Sequence, residues 1–165
     1  MKRARNGNMV LEAALWTLFL TVLIVGMVQF GKITYLYYTL EKTVSSAARY
    51  LATEQGTNFC DAADPNIQAA VNFALTGTTD GSGTPLIPNL TANMLQVTVE
   101  CVDPASGSPG PCPVGCDDPA VGLLPDYIVV SIPNGYPVQP RIPFLTLDPI
   151  PLKPSAVVPA AGGVS

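Results

Sequence analysis

Histidine is absent from the 165 residues, and only 12 % of them are charged. Without imidazole there is no His-based catalytic triad and no His-ligated metal, and the commonest general base near neutral pH is missing. Basic residues are scarce as well: 8 Lys and Arg stand against 12 Asp and Glu, for a formal net charge of -4. An acidic chain of this kind lacks the electrostatic footprint of a nucleic-acid binder, so no nucleic acid is expected among its partners. Proline is missing from residues 1–64 and then crowds the other end, where residues 104–165 hold 14 of the 17. The first third is therefore free to form uninterrupted helix, whereas the last third can supply only short or edge strands.

What the first third does contain is a long apolar run. Met9–Phe30 reads MVLEAALWTLFLTVLIVGMVQF, and from Ala13 to Gly31 there is no charge. Those 19 residues, at about 1.5 Å of helical rise each, span roughly 28 Å, close to the hydrocarbon thickness of a bilayer. Lys2, Arg3 and Arg5 precede the run, which predicts a cytoplasmic N-terminus and export of the remainder. Lys32, Tyr35, Tyr37 and Tyr38 follow it and are expected to anchor the helix in the far headgroup layer. A cleaved secretory signal is the rival reading, but its apolar core is normally about 7–15 residues long and ends at a small-residue site. The run here is longer and no Ala-x-Ala-like site follows it. A retained, single-pass membrane helix in contact with the lipid bilayer is predicted.

Beyond the run, residues 32–55 place Ile33, Leu36, Tyr37, Leu40, Val44, Ala47, Ala48 and Leu51 at helical spacing, an amphipathic stripe. Gly56 is a natural left-handed stop. One nearly continuous helix from about 8 to 55 follows, on the order of 70 Å long. A shorter helix is predicted at Asp64–Leu75, with Asp64 as its N-cap, Pro65 in the first turn, and Ile67, Ala70, Val71 and Ala74 buried. Met94–Val102 alternates Leu95, Val97, Val99 and Cys101 against Gln96, Thr98 and Glu100, the pattern of a half-buried strand. Tyr127–Ile132 is a β-branched partner strand. The Gly/Pro loop between them and the proline-punctuated tail, including Arg141–Leu147 and Leu152–Val158, allow edge pairings only. The fold class expected is α+β: one long N-terminal helix, membrane-spanning in its first half, plus a short helix packed on a small antiparallel β-sheet with a Pro/Gly-rich loop and tail.

Cys60, Cys101, Cys112 and Cys116 all lie in the part predicted to be exported, where two disulfides with three possible connectivities are the first reading. A Cys112–Cys116 bridge would pinch the loop locally. Cys101 would instead close that loop or tie back to Cys60. A tetrathiolate zinc site would call for paired Cys-x-x-Cys knuckles, which are lacking, and no metal or other cofactor is expected. Residues 57–165 offer no nucleophile, base and oxyanion set, so no enzymatic activity is expected.

Glu12 is the anomaly, a carboxylate at the head of a membrane run, where such a group is costly and usually functional. It is the fifth residue after Gly7, with a basic leader before that glycine and an apolar helix after it. This arrangement resembles the class III signal of type IV pilins and pseudopilins. The resemblance implies cleavage between Gly7 and Asn8 by a membrane-embedded prepilin peptidase, leaving the helix attached. It also implies that Glu12 pairs with the new amino terminus of an adjacent subunit.

More narrowly, Leu11-Glu12-Ala13-Ala14-Leu15, Gln29-Phe30-Gly31-Lys32, Tyr37-Tyr38 and Ala47-Ala48-Arg49-Tyr50 resemble TadE-like proteins of the tight-adherence (Flp, type IVc) pilus system. The tail, from Tyr127-Ile-Val-Val-Ser to Leu145-Thr-Leu and Pro154-Ser155-Ala156-Val157, is similar to that family's closing strands. The resemblance implies a minor pilin or pseudopilin held in the bacterial inner membrane and assembled into a pilus for adhesion. Its partners would be other pilin subunits, the prepilin peptidase and the inner-membrane assembly platform. The organisation expected is a cleaved leader at 1–7, a transmembrane helix at 8–31 and its periplasmic extension at 32–56. An extracytoplasmic α+β domain follows at 57–165, with a disulfide loop at 101–126. The alternative is a signal-anchored periplasmic binding domain or enzyme that never joins a filament.

Overall fold

The computed structural model describes residues 4–112, 125–142 and 145–160. It is α+β, as expected. Helix α1 runs Ala4–Thr53 and α2 Pro65–Thr76, followed by a 3-10 turn at Ala92–Met94. The strands are β1 Gln96–Val102, β2 Pro109–Pro111, β3 Tyr127–Ser131, β4 Tyr136–Val138, β5 Arg141–Ile142, β6 Leu145–Thr146, β7 Ile150–Leu152 and β8 Ser155–Pro159. Two compact units result: α1 up to Leu36 with Val138–Ile150, and Tyr37–Pro137 with the chain from Pro151 onward.

α1 is one helix of 50 residues, about 75 Å by rise per residue. It ends at Thr53, two residues before the expected Gln55, where the Glu54 amide donates to the Leu51 carbonyl at 3.3 Å. Gly56 then takes φ +78°. Leu40, Thr43, Val44, Ala47, Ala48, Leu51 and Ala52 are its buried residues. Tyr37, expected in this stripe, is instead exposed, its ring edge-on to Tyr38 at 6.2 Å. Thr43 takes a place in the stripe because its hydroxyl donates to the Leu40 carbonyl at 2.8 Å, leaving no polar atom unpaired.

α2 forms where its caps dictate. The Asp64 carboxylate accepts from the Asn66 amide at 2.8 Å and from the Asn58 amide at 3.0 Å, and Pro65 opens the first turn. Gly77 closes it at φ +77°, its amide on the Phe73 carbonyl. Ile67, Ala70, Val71 and Ala74 are buried, the stripe the spacing predicts. The Tyr50 ring on α1 meets Phe73 on α2 at 6.0 Å. Desolvation there, aided by the Glu54 carboxylate, raises the Tyr50 hydroxyl above its ordinary pKa.

The sheet is antiparallel, in the order β2-β1-β3-β8. β1 pairs β3 from Gln96↔Ser131 to Glu100↔Tyr127, and β3 pairs β8 from Tyr127↔Pro159 to Ser131↔Ser155. This register aligns Val97, Val130 and Ala156 in one row and Val99, Ile128 and Val158 in the next, all on one face. Ile128 and Val130 are 1 % exposed and belong to the core with the α1 and α2 stripes. The proline-bearing strands β2 and β8 take the edges, where a missing amide costs no ladder bond.

Gly135 is required by the turn that follows β3. Its φ is +78°, and an added Cβ would lie 2.6 Å from the Pro151 Cβ. Gly107, at φ +67°, faces open space. Gly135→Ala is expected to cost about 2 kcal/mol, from left-handed strain plus the clash, against about 1 kcal/mol for Gly107→Ala. Thermal unfolding of the two variants checks this, and equal melting temperatures would contradict it.

Candidate functional site

The N-terminal half of α1 is apolar all round. Met9 through Ile24 are exposed at every position, Trp16 and Phe19 among them with their rings edge-on at 6.1 Å. Over an 18-residue window the mean hydropathy reaches 2.1 with none of that window buried, and α1 is the one helix among the described residues long and apolar enough to cross a membrane. The threonine hydroxyls along it are satisfied within the helix. Thr17 donates to the Ala13 carbonyl at 2.7 Å, Thr21 to Thr17 at 2.8 Å and Thr34 to Phe30 at 3.0 Å. Such back-bonding lets hydroxyls sit in lipid at small cost.

Gly7 and Asn8 fall in the first turns of α1. Asn8 and Glu12 are four residues apart, hence on one face and about 6 Å apart along the axis. Glu12 is exposed and lines a shallow recess with Leu15, Trp16 and Phe19, the i, i+3, i+4 and i+7 positions of a single stripe. A carboxylate on an otherwise apolar stripe is costly in lipid. Lys32, Tyr35 and Tyr38 are exposed at the far end of the run, and Tyr37 is 40 % exposed.

Residues 7–49 match the family model described as TadE-like protein. The match lies along α1 and covers about a quarter of the chain. Among curated proteins and solved structures no match was found. The TadE-like family is a structural, pilus-associated one, and the matched segment begins at Gly7 and takes in Glu12, the uncharged run and Ala47-Ala48-Arg49.

The cysteines pair in a way their spacing left open. Cys101 is bonded to Cys112, with the Cα atoms 4.8 Å apart. The local Cys112–Cys116 pinch and the Cys101–Cys60 tie are therefore not formed. The reason is register: β1 sets Cys101 opposite Gly110, which brings Cys112 within reach once β2 folds back. Cys60 is also disulfide-bonded, and Cys116 lies outside the described residues.

Sequence reasoning missed the acids that hold these loops. Asp103 turns the β1–β2 hairpin: its carboxylate accepts from the Ala105 amide at 3.0 Å and the Ser106 hydroxyl at 2.8 Å. Those bonds favour the ionised form and hold its carboxyl below the usual aspartate value. Asp80 is lowered in the same way by the amide and hydroxyl of Ser82. Asp126 accepts from the Val102 amide at 2.7 Å, while its own amide donates to Glu100 at 3.2 Å. It thus clips the end of β1 to the start of β3. These acids are loop staples; the signal that could have found Asp80 and Asp103 is Asp followed at two or three residues by a small or hydroxyl residue, whereas Asp126 acts on a residue distant in sequence.

Proposed function

We propose that this chain is a minor pilin or pseudopilin of a tight-adherence (Flp, type IVc) pilus. The observation that carries this is the TadE-like match over 7–49, laid along a helix whose apolar surface is exposed from Met9 to Ile24. Such a surface requires lipid before assembly and sister helices after it.

In this role the chain waits in the bacterial inner membrane, leader in the cytoplasm and outer domain in the periplasm. A prepilin peptidase cuts between Gly7 and Asn8, and Gly7 weakens the helix at the place where the peptide must be drawn out for cleavage. The assembly platform then moves the subunit into the fibre, where Glu12 meets the amino terminus of an adjacent pilin subunit. Pairing is what makes a carboxylate tolerable in a dry, helix-packed core. The outer domain contributes shape and, through its disulfides, resistance to shear; it is assigned no catalysis.

Gly7→Leu tests the assignment. In cells containing the prepilin peptidase the variant is expected to stay at full length in the membrane and to be missing from the sheared-fibre fraction. A product of mature size, or normal fibre content, would contradict it.

A further inference from the structure

Val138–Ile150 does not fold with the sheet; it belongs to the compact unit that holds α1 up to Leu36. Within that unit it is the non-helical part, a ribbon closed by β5 and β6 in antiparallel register, Ile142 opposite Leu145. A groove of about 310 Å³ separates residues 138–140 from the helix positions Gln29, Lys32, Ile33 and Leu36. Those four are again i, i+3, i+4 and i+7, one stripe covering about 10 Å of helix. Along α1 every residue from Met9 to Ile24 is exposed, but Val25, Gly26 and Gln29 are half-buried. The groove thus begins at Gln29, about 3 Å before Gly31, counting two residues at 1.5 Å, at the end of the uncharged run.

We propose that this ribbon is a second membrane contact, resting at headgroup depth in the outer leaflet, with a phospholipid phosphate seated on Lys32 in the groove between ribbon and helix. Three observations meet here. First, the groove adjoins the surface that already requires lipid and opens at the end of the uncharged run, the level at which interfacial side chains meet the headgroups. Second, the composition suits a place poor in water. Residues 138–150 read VQPRIPFLTLDPI, with Pro140, Pro143 and Pro149 donating no amide, and Leu147 and Ile150 stand 37 % and 42 % exposed. Third, charge separates the ribbon from the rest of the outer chain. Residues 57–137 and 151–165 together carry eight acids and one base, whereas 138–150 carry one of each, Asp148 and Arg141. An anionic bilayer surface repels the former and accepts the latter, and the exposed Lys32 ammonium complements a lipid phosphate.

The inference rests on α1 lying in a bilayer, and not on cleavage at Gly7 or entry into a fibre. The test uses the full chain in phosphatidylcholine–phosphatidylglycerol vesicles. The native Trp16, the only tryptophan, reports on the helix. A Trp16→Phe, Leu147→Trp variant reports on the ribbon, and Trp16→Phe, Ile150→Trp repeats the measurement at a second exposed site. Lipids brominated near the top of the acyl chains are expected to quench the ribbon tryptophans at least about twofold, with aqueous acrylamide quenching them only weakly. Lys32→Glu is expected to reduce the phospholipid retained in native mass spectrometry by about tenfold. Quenching of Trp16 by deeply brominated lipid, with the ribbon tryptophans open to acrylamide, would overturn the ribbon's role and leave the membrane helix standing. An unquenched Trp16 would overturn both. Shielding of the ribbon that disappears as protein is diluted at constant lipid would assign this face to a second copy of the chain and likewise overturn the proposal.

Discussion

Replacing Glu12 by valine is expected to lower the amount of subunit in sheared fibres by about a hundredfold, while its level in the membrane stays within about twofold of the parent. The two numbers separate because the carboxylate has different surroundings in the two states. In the membrane Glu12 sits near the start of the helix, exposed and within reach of the headgroups, so an apolar replacement costs nothing there. In the proposed fibre its loss would strand a neighbour's ammonium among apolar helices, and breaking a buried pair by removing one partner typically costs about 3–5 kcal/mol. Glu12→Gln keeps shape and hydrogen bonding without the charge, and should fall between the two. Immunoblots of membrane and fibre fractions give both quantities, and unchanged fibre content in Glu12→Val would contradict the pairing role.

The second large effect lies in the outer domain. Converting Cys101 and Cys112 together to serine removes a crosslink between residues 11 apart, worth about 3 kcal/mol in the chain-entropy account of disulfides. For a domain of this size that is a fall in melting temperature of roughly 12–20 °C. β2 should be lost first. It is three residues long with proline at both ends, pairs among the described residues with β1 alone, and is held there by the disulfide and by the Asp103 turn. Calorimetry of the detergent-solubilised double variant measures this, and a melting temperature within about 2 °C of the parent would contradict it.

The parts legible in the sequence are those whose cause is local. α2 carries its start and its buried stripe in consecutive residues, so Asp64, Pro65 and the spacing of Ile67, Ala70, Val71 and Ala74 sufficed, and its end at Thr76 falls one residue past the expected Leu75. β1 and β3 were marked by alternation and β-branching. The exposed, apolar first half of α1 was legible because a run of uncharged residues needs no knowledge of the fold. What was not legible depends on contacts distant in sequence. Whether Cys112 bonds to Cys101 or elsewhere is decided by the β1–β2 register, which no spacing rule supplies. The place of residues 138–150 beside α1, more than a hundred residues away along the chain, is a tertiary outcome that their prolines only permit. Tyr37 was misplaced because an aromatic at the margin of a stripe fits either face, and here it turns outward to Tyr38. Glu12 was singled out by its oddity, yet nothing local says what meets it, since the partner proposed for it belongs to another molecule.

N-terminal sequencing of the native protein extracted from membranes and from sheared fibres tests the central claim most directly. If Gly7 and Glu12 are parts of one processing and assembly device, both fractions from cells with an active prepilin peptidase begin Asn-Met-Val-Leu-Glu, and cells lacking the peptidase yield only chains that begin at Met1. Fibres built from chains that still carry residues 1–7 would contradict it.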